Sequence, residues 1–80
     1  MQRGLLLFDI HDGIHVTDSL GQRLPDLEAA KMEAVQIAGL FALRPSMVGG
    51  NGGAVVVVIR YAPDSVVMTV RMAFNIDAPA

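Results

Sequence analysis

The chain predicts an α+β domain: β-β-α-β-β, a four-stranded antiparallel sheet in the order 2-1-3-4, with one helix packed on one face. Three observations carry this. Residues 4–10 and 66–76 alternate apolar positions with a period of two, as half-buried strands do. Residues 54–61 are almost continuously β-branched, as in a central strand. A single stretch, 27–43, repeats its apolar residues at helical spacing.

The first strand, 4–10, sets Leu6, Phe8 and Ile10 on one face and Leu5, Leu7 and Asp9 on the other. Asp12-Gly13 signals a turn, and 14–17 alternates again. A three-residue loop, 11–13, places Ile10 against Ile14, Phe8 against Val16 and Asp9 against His15, with glycine at the left-handed turn position. Asp18-Ser19-Leu20-Gly21 reads as a second turn. Leu24-Pro25 is extended, and Asp26 is a good N-cap, with Glu28 in the first turn. The helix should run over 27–43 and stop before Pro45. Its core stripe is Leu27, Ala30, Ala34, Ile37, Ala38 and Phe41. Met32, Val35, Gly39 and Leu43 form a second, narrower stripe. A flexible glycine-rich loop is expected at 46–53. Strands follow at 54–61 and 66–76, joined through Pro63. The two most apolar strands belong in the middle, and the polar second strand at an edge.

Eighty residues make one small domain spanning 1–80. With no cysteine, neither disulfides nor thiolate metal sites can hold it together. No stretch reaches the ~18 apolar residues of a membrane helix, so no membrane partner is expected. No cleavable signal is visible either, and a cytoplasmic location is the expectation. The net charge is −2 and the six basic residues are scattered, so nucleic acid is not an expected partner. Yet 52% of so short a chain is hydrophobic. Some of that surface must lie outside, or under another chain.

Three candidate sites emerge. Asp9, His11 and His15 are metal-ligand types that the hairpin could bring together, with Asp12 and Asp18 nearby. The plainer reading of these residues is a polar turn beside a surface pair. Gly49 opens the second candidate, GGNGG, but phosphate loops lead into a helix, whereas a strand follows here. The third is a partner interface of surplus apolar residues: Leu5, Leu7, Val56, Val58, Val67 and Ala73 on the open sheet face, with Met32, Val35 and Leu43 on the helix back. A two-fold dimer through the sheet face is its simplest form.

Phe8-Asp9-Ile10-His11-Asp12-Gly13, then Asp18 and Gly21, then Leu24-Pro25-Asp26-Leu27-Glu28-Ala29-Ala30 with Glu33-Ala34 resemble a family. It comprises short bacterial proteins catalogued as a domain of unknown function, marked by His-Asp-Gly and Leu-Pro-Asp-Leu motifs. The resemblance covers the first half of the chain and implies the fold and a bacterial origin. It implies no activity. Leucines stand where the family often has aromatic residues, and the glycine-rich loop also departs from its pattern. The expectation is therefore a non-enzymatic interaction module, homodimeric, binding a protein partner and needing no cofactor. The alternative is a metal- or small-ligand-binding protein using the His/Asp hairpin.

Overall fold

A computed structural model describes residues 5–12, 15–43, 52–62 and 64–77. Within them the chain forms β1 (Leu5–His11), β2 (His15–Val16), β3 (Gln22–Arg23), α1 (Leu27–Ala42), β4 (Gly52–Ala62) and β5 (Ser65–Asn75). The fold is α+β, with one helix on an antiparallel sheet of five strands rather than four. The order is β2-β1-β4-β5, and β3 pairs with the same β1 that β2 joins. The extra strand is the two-residue Gln22–Arg23, opposite Leu6 and Leu5. Two residues leave too short a pattern for periodicity to show.

β4 is central because it is apolar on both faces. Val55, Val57 and Ile59 point to the helix and are fully buried. Leu6, Phe8 and Ile10 of β1 join them in the core. Burying each such side chain contributes about 1.5–3 kcal/mol relative to leaving it in water. The helix meets this layer through Ala30, Ala34 and Ala38, which are fully buried. Alanine side chains are short, so the helix backbone can lie close over the valines of β4. Ile37 and Phe41 flank the contact, while Leu27 stays largely exposed. Asp26 caps the helix: its backbone is extended and its carboxylate accepts the Ala29 N–H at 2.8 Å. At the other end the Leu43 N–H bonds to the Leu40 carbonyl, so the helix closes one residue before the predicted end.

The first hairpin is shifted from its expected register. Ile10 lies opposite Val16 and His11 opposite His15. The connection is thus residues 12–14, still three long but moved by one position. Opposite residues of an antiparallel pair share a face, so a slip of two partners keeps Val16 on the helix side and His15 on the open side. Val16 is nonetheless largely exposed, because β2 is an edge beyond the helix. Ile14 and Gly13 lie outside the described residues.

β4 starts at Gly52, so the last two residues of the expected 46–53 loop are strand. Residues 44–51 lie outside the described residues. The β4–β5 ladder shifts register between Ile59 and Arg60. There Val67 falls between Met68, opposite Ile59, and Val66, opposite Arg60, and packs against the core. This corrects its expected place on the open face: strict alternation fails where a bulge adds a residue.

Candidate functional site: a carboxylate cluster on the open sheet face

Along the β1 edge, three residues of β1 (Leu7, Phe8, Asp9) face five between β2 and β3 (17–21). The edge strand must therefore leave the ladder, and β1 backbone groups lose strand partners there. Asp18 supplies a replacement. Its Oδ2 accepts the Phe8 N–H at 3.0 Å, where a neighbouring strand would have offered a carbonyl. Its Oδ1 accepts the N–H groups of Leu20 and Gly21, each at 3.0 Å, closing the turn. Gly21 sits at φ +75, and a Cβ there would lie 2.7 Å from Leu5 Cγ and 3.0 Å from the Leu6 carbonyl oxygen. Only glycine combines that backbone with that clearance.

The Asp18 N–H donates to Asp9 Oδ1 at 3.0 Å. Asp9 is also clasped by Arg60, with Nε to Oδ2 at 2.6 Å and Nη2 to Oδ1 at 2.9 Å. This is the two-pronged geometry that suits a guanidinium to a carboxylate. The pair joins adjacent strands diagonally, since Leu7 lies opposite Arg60 and Asp9 opposite Val58. Asp9 is 8% exposed, although it belongs to the face the helix leaves open. Arg60 and the Asp18 turn cover it.

These contacts set the charges. The Arg60 hydrogen bonds hold the Asp9 carboxyl below its ordinary 3.8; burial opposes them and the Asp18 N–H assists. Burial also works against the Asp18 charge, but its backbone donors outweigh it, and that carboxyl too lies below 3.8. Asp9 in turn raises the pKa of Arg60. Both carboxylates are ionised at neutral pH and their oxygens already hold strong donors. That suits anchoring a chain segment. It does not suit a general acid or base, which needs a pKa near the working pH.

The structure brings His11 and His15 together. Their rings stack with centroids 4.1 Å apart, and both are exposed. Thr17 Oγ1 lies 3.4 Å from His15 Nε2. Asp9, the third expected ligand, is instead engaged by Arg60. Among the described residues no three His, Cys, Asp or Glu side chains gather as a metal would require. Gly52 and Gly53, the described end of the glycine run, belong to β4 and not to a helix N-terminus of the kind a phosphate would use.

The expected interface residues divide between two surfaces. Leu5, Leu7, Val56, Val58 and Ala73 share the open sheet face with Asp9 and Arg60. Met32, Val35 and Leu43 lie on the helix back, at 56%, 41% and 72% exposure, on the opposite side of the molecule. They cannot form one patch. A groove of about 380 Å³ opens on the helix side, where Ile37 and Phe41 face Phe8, Ile10, Val16 and Leu20.

The Asp9–Arg60 pair was missed in reading the sequence, although a signal existed. Each of two neighbouring apolar strands carries one charge on its outward face. What the sequence did not supply is the register that sets them within reach. Comparison with known proteins returned no match among curated proteins and none among solved structures. A family model, described as a domain of unknown function (DUF6894), matches residues 6–73. That span runs from the first core leucine of β1 to Ala73 in β5 and includes the whole Asp9–Asp18–Arg60 cluster, so the chain belongs to the DUF6894 family.

Proposed function

We propose that the protein is a non-enzymatic interaction module that associates with a second copy, and through it with a protein partner, by the open face of its sheet. The observation that supports this is the outward side of β4. Val56 and Val58 stand there on the central strand, with Leu7 and Leu5 on β1 and Ala73 on β5 beside them. Antiparallel sheets that face water normally carry polar residues on that side. Here the buried ion pair and the Asp18 turn hold the β1 edge in place, so the apolar surface is presented on a stiff frame. Stiffness lowers the ordering cost of association.

The register selects the test. Val58 lies opposite Asp9, so a new carboxylate there would repel Asp9 in the free subunit and confuse folding with association. Val56 lies between His11 and Arg71, where an added acid is tolerated. In a face-to-face contact Val56→Asp buries that charge twice, once per copy. The expected result is a smaller assembly by light scattering, with far-ultraviolet circular dichroism unchanged. A wild-type protein that is monomeric at high concentration, or a Val56→Asp protein of unchanged mass, refutes the reading.

A further inference from the structure

We infer that the free edge of β5 pairs antiparallel with β5 of a second copy, joining two sheets into one. This goes beyond association through the sheet face and uses a different surface. β5 is 11 residues long and hydrogen-bonds to β4 along one side; among the described residues no strand takes the other. An open edge of that length is a template for another strand.

The two edges of the sheet are treated differently. On the β1 side the edge strands are two residues each, and the Asp18 carboxylate occupies the gap between them. That edge is closed to a long partner. Among the described residues β5 carries no such guard. It has no proline, and Arg71 is its only charged residue.

Burial points the same way. The helix seals Val55, Val57 and Ile59 of β4 completely, yet leaves Met68, Val70, Met72 and Phe74 of β5 only partly covered. These four line the helix side of the exposed edge. A second β5 would set the same four residues alongside them.

The occupant is a second copy because the strand is complementary to itself. Two-fold pairing about Val70 matches the regular stretch Met68–Met72 with its copy. Met68 then meets Met72, and Arg71 meets Thr69. Moving the axis one residue on would set Arg71 against Arg71, which like charges disfavour. The bulge near Val67 lies outside the regular stretch around the axis.

The test uses light scattering and residue-resolved amide exchange on the full chain. N–H groups along a strand point alternately to its two sides. If only the sheet face associates, every second β5 amide stays unprotected; edge pairing protects both sets, and more so at higher concentration. One of the adjacent substitutions Val70→Pro and Arg71→Pro removes a bond to β4, whereas the other removes only an outward N–H. The outward variant should keep its circular dichroism and halve the assembly mass. Combined with Val56→Asp, it should be monomeric.

A wild-type assembly that Val56→Asp alone converts to monomer overturns edge pairing and leaves the face contact standing. An assembly that ignores Val56→Asp but is halved by the outward proline upholds edge pairing and removes the face contact. Alternating exchange in β5 that persists at high concentration overturns edge pairing whatever the mass.

Discussion

Replacing Asp18 with alanine removes three hydrogen bonds by a change at one exposed turn. The Phe8 N–H loses its acceptor, in a residue only 4% exposed. An unsatisfied buried donor costs about 1–3 kcal/mol. The bonds to Leu20 and Gly21 are closer to solvent, and together contribute about 1 kcal/mol. The expected loss is therefore about 2–4 kcal/mol, against a whole-domain stability of about 4–12 kcal/mol for a chain of this length. At about 4–8 °C per kcal/mol, the melting temperature should fall on the order of 10–30 °C.

Urea unfolding with matched slopes is the assay, because a common slope shows that the unfolded states are alike. Asp18→Asn separates the contributions. Its remaining oxygen can keep the Leu20 and Gly21 bonds, while its amide meets the Phe8 N–H donor to donor. It should lose roughly the buried share alone, about 1–3 kcal/mol. Acid supplies an independent check. The folded pKa values of Asp9 and Asp18 lie below the ordinary 3.8, so the unfolded chain takes up protons first as pH falls. The stabilisation is full above 3.8 and disappears as pH drops through the folded values. Wild-type protein should weaken below pH ~4, and Asp18→Ala should weaken less steeply there. A loss under about 0.5 kcal/mol, the range of ordinary surface substitutions, would refute the argument that Asp18 stands in for a missing strand carbonyl.

Arg60→Ala and Asp9→Asn should each destabilise the fold in urea, while Asp9→Leu combined with Arg60→Met should recover much of the loss, since an apolar pair carries no unpaired charge. Two glycine substitutions should act in opposite directions in thermal melts. Gly21→Ala meets Leu5 at a positive φ and should destabilise by more than ~1 kcal/mol, whereas Gly39→Ala, with nothing within 4 Å of the new Cβ, should stabilise by about 1 kcal/mol. His11 and His15 imidazole resonances should respond little to Zn²⁺ near neutral pH, since they bring two ligands where three or four are needed; saturable shifts at micromolar metal would restore the metal reading.

Local chemistry made much of the architecture legible in the sequence. Alternation in β1 and β5, the β-branched run of β4 and the Asp26 cap each depend on residues adjacent in the chain, so each could be read without a fold. So could the central place of β1 and β4, because hydrophobicity decides which strands lie inside; the fifth strand and its pairing with β1 could not. The Asp18 turn was visible as Asp-x-x-Gly. What it holds was not, because Phe8 lies ten residues away along the chain and becomes a neighbour only when β1 and the edge pair. Asp9 and Arg60 are 51 residues apart. Their contact depends on the β1–β4 register, set by how whole faces pack rather than by either strand alone. The same packing placed His15 against His11, and put Met32 and Val58 on opposite sides of the molecule. Periodicity shows that a side chain leaves the core; the tertiary structure alone decides on which surface it emerges, and beside which charge.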